Sequence, residues 1–142
     1  DSHMVKRLRE NRKNKKGFTL VELIVVIVII LVLAAVMVPS VLRYVDKANK
    51  ANTKSDAATI LVDIQAQVAD TYADDGVAPT TVTSNGITVD KNATLLKEKG
   101  SAKNATYNET DGDVVSFSFQ DGKHFIQWSK EKGWSEVDAE LT

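Results

Sequence analysis

The chain has 142 residues, of which 43% are hydrophobic and 26% charged, and its formal net charge is −1. This size and composition allow one modest domain with an appendage and exclude a chain that is disordered or fibrous throughout. Because cysteine is absent, a disulfide framework, a thiol nucleophile and a cysteine-ligated zinc site are excluded. The sequence has no phosphate-binding glycine loop and no basic patch beyond its first 17 residues, so neither nucleotide nor nucleic-acid binding is predicted.

The charge is distributed unevenly along the chain. Residues 1–4 resemble a cloning scar that ends in a start methionine, and residues 5–17 form a basic leader. Up to Gly17 there are seven lysines and arginines against two acids, a net +5, so the rest must carry −6 to give the total of −1. A basic head before an apolar run orients a membrane segment with its cations on the cytoplasmic side. The acidic remainder is therefore predicted to face outward.

Residues 18–42 form an apolar run that only Thr19, Glu22, Pro39 and Ser40 interrupt. As a helix, the run up to residue 38 would span roughly 30 Å, the thickness of the hydrocarbon core of a bilayer. A secretory signal peptide usually has a shorter apolar core with small residues at its end, whereas here the Leu-Ala-Ala triplet lies inside the run. A plain membrane anchor fits the length but does not explain how the run begins.

The run begins with Lys-Lys-Gly-Phe-Thr-Leu-Val-Glu-Leu over residues 15–23, which resembles the processing signature of type IV prepilins. The resemblance implies that a prepilin peptidase cuts after Gly17 and that Phe18 becomes the N-methylated first residue. It also implies that Glu22 is the acid shared across the family, and that Pro39 is its helix-kinking proline.

Physical chemistry supports these residue types independently. A glycine leaves the backbone at the scissile bond open to the peptidase, and proline kinks a helix or is simply tolerated within the membrane. Glu22 is costly in lipid unless it is paired. Either it lies near enough to the interface for its carboxylate to reach water, or it pairs with the freed Phe18 amine of a neighbouring subunit and sets the register of assembly.

The remaining sequence predicts a head domain over residues 43–142, giving an α+β fold in which a long N-terminal helix packs on a small antiparallel sheet. The helix is predicted to continue as an amphipathic segment over 43–73, followed by a connecting loop over 74–112 that contains a short strand over 87–89 and a short helix over 91–99. Three strands are predicted within 113–138. The predicted core residues of the helix are Ala58, Leu61, Ile64, Val68 and Tyr72.

The predicted strands alternate apolar and polar residues, with Val115, Phe117 and Phe119 on the face toward the helix. The head lacks the C-terminal cysteine pair of many pilins, so packing of Trp134 or hydrogen bonding must close its last loop. His124 has no acid or serine placed beside it by sequence and is interpreted as a strand or surface histidine.

No metal or other cofactor is predicted for the head. Asp111 and Asp113 flank Gly112 in a segment that fits a turn better than a calcium site, because the spacing of oxygen ligands in an EF-hand is absent.

The predicted function is that of a structural subunit, not an enzyme, of an extracellular type IV pilus, or fimbrium, which serves adhesion, aggregation or motility. The expected partners are identical subunits, the cytoplasmic membrane, the prepilin peptidase and the pilus assembly platform. The chain would reside in the membrane as a single-pass precursor and then in the filament. Alternatives are a pseudopilin of a type II secretion or DNA-uptake system and a monomeric membrane-anchored adhesin. The absence of cysteine and the short head favour a Gram-positive envelope.

Overall fold

The computed structural model describes the backbone of residues 2–140 and the side chains of residues 19–140. The chain divides into two compact units, one ending at Val45 and the other beginning at Asp46. The first unit is helical, and the second, here called the head unit, contains the end of the same helix together with a sheet.

Helix α1 extends over Ser2–Asp75, and Pro39 lies inside it. Glycine and proline are absent between Pro39 and the end of the helix, so nothing in that stretch disfavours helical backbone. The helix ends at Asp75, two residues beyond the predicted segment 43–73, and the amide of Gly76 donates a hydrogen bond of 2.8 Å to the carbonyl of Tyr72. This bond is the single-bond form of helix C-cap.

The head unit contains one six-stranded sheet whose strands are adjacent in chain order. All neighbouring pairs are antiparallel except β2 and β3, which are parallel. The strands are β1 Thr81–Ser84, β2 Ile87–Lys91, β3 Asn104–Thr110, β4 Asp113–Gln120, β5 Phe125–Ser129 and β6 Gly133–Trp134.

The prediction of an α+β fold with a long N-terminal helix on a small sheet is confirmed, but the prediction of about three strands is wrong. Strands β1 and β3 lie in the segment 74–112 that the sequence predicts to be a loop, and β2 contains the short strand predicted there over 87–89. The missed signal is the Asn85-Gly86 pair, whose φ angles of 50° and 77° form the two-residue turn that joins β1 to β2. The predicted helix over 91–99 is absent, because Lys91 completes β2 and residues 92–103 form neither helix nor strand.

One face of the sheet packs on the helix to form the core of the head unit. Leu61, Ile64 and Val68 are buried as predicted, whereas Ala58 and Tyr72 are only half-buried. The other buried apolar residues of the helix are Ala57 and Ile60, and Thr53 is buried as well. The sheet contributes Val82, Val89, Ala105, Tyr107, Val114, Phe117, Phe119 and Ile126.

A β-bulge corrects the predicted apolar face of β4. Asn108 pairs with Ser116 and Glu109 pairs with Val114, which leaves Val115 as an extra residue on β4. An extra residue reverses the in-and-out alternation on one side of the bulge. Val114 is therefore buried with Phe117 and Phe119, whereas Val115 is half-buried.

The opposite face of the central strands carries a row of buried polar side chains under the segment that links β2 to β3. Thr106 and Ser118 share a hydrogen bond of 2.7 Å. The amide of Leu96 donates to the Ser118 hydroxyl at 2.8 Å, and the Gln127 side-chain amide donates to the Leu96 carbonyl at 2.9 Å. The segment between β2 and β3, which has no regular structure, is thus held on the sheet by the backbone amide and carbonyl of Leu96.

The C-terminal segment extends the pairing with β5 beyond the two residues of β6. The Ser135 and Asp138 amides each donate a 2.8 Å hydrogen bond, to the carbonyls of Gln127 and Phe125. Trp134 meets Phe117 edge-on, with ring centroids 6.2 Å apart. Aromatic packing and hydrogen bonding thus close the last loop, as the lack of cysteine requires.

The contact between Gly112 and the helix generates a stability prediction. Gly112 has φ of 82°, and a Cβ there would lie 2.5 Å from Cγ of Tyr72. Gly86 occupies the corresponding turn position between β1 and β2 with φ of 77° and open space around it. Gly86→Ala should cost about 1–2 kcal/mol from backbone strain, and Gly112→Ala should cost about 1–3 kcal/mol more from overpacking.

Thermal unfolding of the full chain in detergent micelles, followed by circular dichroism, would measure both variants. Equal losses of stability would show that Tyr72 moves aside freely and that this end of the helix is not held against the β3–β4 turn.

Candidate functional site

The described part of the first unit exposes an almost wholly apolar helix surface. Each large hydrophobic side chain from Leu20 to Val45 is between 45% and 75% exposed. An 18-residue window in this helix has a mean hydropathy of 3.4, and none of the window is buried. A helix of this length and composition can cross a membrane. The core helix of a soluble protein would also meet these criteria, but such a helix would be largely buried.

Charged residues mark both ends of the apolar surface. Between residues 19 and 45 the only charged side chains are those of Glu22 and Arg43. The uncharged residues between them would span roughly 30 Å as a helix, which equals the hydrocarbon thickness of a bilayer. The Glu22 side chain is exposed, so within the described residues the chain does not bury its carboxylate.

The structure does not bring the predicted site residues into one cluster. Glu22 and Pro39 lie on the same helix but about 25 Å apart along its axis. The predicted processing residues Gly17 and Phe18 have helical backbone, and the side chain of Phe18 lies outside the described residues. The helix continues through Pro39, and a kink there remains a prediction.

The head unit contains a polar cluster that the sequence analysis did not identify. His124 is buried, and its Nδ1 lies 2.8 Å from Oδ2 of Asp138. Its Nε2 lies 3.5 Å from Oδ1 of Asp46, and its backbone amide donates to Oδ1 of Asp121 at 2.8 Å. No spacing in the sequence could have revealed this cluster, because its acids come from the helix, a turn and the C-terminal segment.

Two of these acids have a pKa below the ordinary value of 3.8. Burial raises the pKa of Asp138, but hydrogen bonds from His124 and the Phe125 amide, with the charges of His124 and Lys99, outweigh burial. Burial likewise raises the pKa of Asp121, and hydrogen bonds from Thr53 and from the amides of His124 and Lys123 outweigh it. Both carboxylates therefore contribute to folding in their ionised form.

Two acids that flank the β3–β4 turn, Glu109 and Asp113, have partners within the chain. Asp113 pairs with Lys130. Glu109 contacts Lys91 at 2.6 Å and accepts the amide of Gly112 at 2.8 Å. Among the described residues, no group of three or more histidines and acids is arranged to hold a metal ion.

Residues 12–38 match the family model described as a prokaryotic N-terminal methylation motif. No curated protein and no solved structure matches the chain. The matched segment contains Gly17, Phe18 and Glu22 and ends one residue before Pro39.

The lowered pKa of Asp138 predicts how the stability of the head unit depends on pH. A carboxylate whose pKa falls on folding stabilises fully above its unfolded value and loses this contribution as the pH falls through the folded value. Asp138→Asn keeps the shape of the side chain and tolerates the φ of 68°. It should cost about 1–3 kcal/mol at pH 7, and the cost should shrink below the ordinary value of 3.8.

Thermal unfolding at pH 7, 5 and 3 would follow this change, with Asp113→Asn as the control. Asp113 forms an exposed ion pair with Lys130, so its loss should cost at most about 1 kcal/mol. An Asp138→Asn penalty that stays the same at pH 3 would contradict the assigned role of the ionised carboxylate.

Proposed function

The chain carries the prokaryotic N-terminal methylation motif of type IV prepilin-like proteins, and we therefore propose that it is the precursor of a structural subunit of a type IV pilus. The observation that carries the proposal is the exposed apolar helix surface between Leu20 and Val45, with Glu22 near its start. Lipid covers this surface in the precursor, and neighbouring subunits cover it in the filament.

Membrane insertion tolerates Glu22 because the favourable free energy of transferring the apolar residues into lipid exceeds the cost of transferring the acid. A charged side chain at the centre of the bilayer costs about 2.5–3.5 kcal/mol on the insertion scale. Each Leu, Ile or Val near the helix centre favours insertion by about 0.3–0.6 kcal/mol, and such residues fill most of the run from 23 to 38. Glu22 also lies at one end of the run, where the cost is lower. Glu22 therefore does not prevent insertion, but it contributes nothing to the stability of a lone membrane anchor.

Pairing between subunits gives Glu22 a function. Cleavage after Gly17 creates a charged amine on Phe18, one helical turn before Glu22. Apolar helices of similar surface slide past one another at little cost, whereas a carboxylate–amine pair fixes one axial position. Breaking a buried ion pair by removing one partner costs about 3–5 kcal/mol, enough to select one register.

A pseudopilin would use the same helix in a short filament of a secretion or DNA-uptake system. Electron microscopy of the producing cells, with antibody to the head unit, would distinguish the two. Long labelled filaments indicate a pilin, and their absence from cells that process the chain indicates a pseudopilin.

Processing is predicted at the bond between Gly17 and Phe18. Co-expression with a prepilin peptidase should remove everything through Gly17 and leave Phe18, with or without a methyl group, as the N-terminus. Intact-mass spectrometry would measure this. Gly17→Val should block the cut, because a β-branched side chain crowds the scissile bond. Cleavage near Ala35 would instead identify a secretory signal peptide.

Assembly is predicted to depend on Glu22. Glu22→Val removes a costly polar group from lipid, so insertion and processing should be unchanged while filament yield falls severely. Glu22→Gln is the matched control, because it keeps the shape and polarity of the side chain but removes its charge. If the ion pair sets the register, both variants should fail.

The measurement is the ratio of sheared extracellular filament to mature subunit retained in the membrane, at equal expression. Assembly by Glu22→Gln alone would show that a hydrogen bond suffices. Normal filament yield from both variants would refute the proposed role of Glu22.

A further inference from the structure

His124 lies where three separate segments of the head unit meet. Asp46 belongs to the first turn of the head unit's part of α1, Asp121 begins the β4–β5 turn, and Asp138 lies in the C-terminal segment. The ring is buried, and each of its two nitrogens faces a carboxylate oxygen, Asp138 at 2.8 Å and Asp46 at 3.5 Å.

Only one protonation state of the ring can donate a hydrogen bond to both carboxylates. A neutral imidazole has one N–H and one lone pair, so it can donate to only one carboxylate and must direct its lone pair at the other. An imidazolium donates from both nitrogens. We propose that His124 is a protonation-dependent clamp, which when charged holds the C-terminal segment and the first turn of the head unit's helix together.

The neighbouring charges support this assignment. The charge of Asp121 also interacts with that of His124, but the Asp121 carboxylate already accepts hydrogen bonds from Thr53 and from the amides of Lys123 and His124. Lys99 lies 3.6 Å from Asp138, and Lys50 lies 3.6 Å from Asp46. Together these three carboxylates and two lysines carry a net charge of −1, and a positive charge on His124 makes the cluster neutral.

The two arms of the clamp differ in strength. The Asp138 side chain is 22% exposed and forms the shorter contact, whereas Asp46 is 54% exposed. When the ring loses a proton, the remaining N–H stays with Asp138, and the lone pair on Nε2 repels Asp46. The exposed Asp46 side chain then turns toward water. Rising pH therefore frees the first turn of the head unit's part of α1 from His124, while the C-terminal segment stays bound to the ring. This inference concerns the head unit alone and does not depend on the proposed filament.

Hydrogen exchange of the full chain in detergent micelles tests the clamp, with rates corrected for the intrinsic effect of pH. Protection of the amides over residues 46–53 should fall about two- to fivefold between pH 5.5 and 8.5, the size expected for a half-exposed ion pair. In Asp46→Asn, protection should be low and independent of pH. Lys50→Gln is the control, because it removes a charge that contacts Asp46 from the same helix but leaves His124 in place, and it should keep the pH dependence.

Nitrogen NMR of the imidazole ring gives a second measurement on the unaltered head unit, in a His3→Gln background that leaves one histidine. In the neutral ring the remaining proton should lie on Nδ1, facing Asp138, and protection over 46–53 should fall as the second proton leaves Nε2. A neutral ring with its proton on Nε2, or protection over 46–53 that does not change with pH in the wild type, would overturn the proposal.

Discussion

The constraint on which the first unit depends is an apolar helix surface that the chain leaves uncovered. None of the most apolar 18-residue stretch of the described helix is buried. Fully burying one Val, Leu or Ile side chain stabilises a protein by about 1.5–3 kcal/mol. Lipid or other helices must supply that burial, and both require the backbone to satisfy its own hydrogen bonds. A helix does so within a single segment, which explains why a run rich in β-branched residues is helical here despite their modest helix propensity.

The head unit meets a different constraint, because few residues outside the sheet are available to cover its two faces. The apolar face receives the helix through Ile60, Ile64 and Val68. The other face receives a twelve-residue link, 92–103, that carries only two large apolar side chains. A covering this thin cannot exclude water by apolar area alone. The strands beneath it therefore present Thr106, Ser118 and Gln127, whose polar groups bond to one another and to the link.

The sequence predicted those features that a periodic pattern or a motif specifies. The apolar run, the amphipathic continuation of the helix and the presence of strands after residue 113 were recognisable from residue type and spacing. The β1–β2 hairpin was equally readable from Asn85-Gly86, but the surrounding threonines and serine made the segment resemble a loop. Two features had no local signal: the bulge at Val115 depends on the register with β3, and the cluster at His124 depends on where three distant segments end.

The cluster at His124 also shows what replaces a disulfide in the C-terminal region. A disulfide holds a chain end regardless of pH and fails only when it is reduced. Here the same end is held by the backbone bonds of Ser135 and Asp138 to β5, by Trp134 against Phe117, and by the Asp138 carboxylate. Each of these contributes about 0.5–3 kcal/mol, and among them only the Asp138 carboxylate is ionisable. The apolar and backbone contacts therefore hold the chain end at every pH, while the ionic contacts make the strength of that hold depend on the surrounding medium.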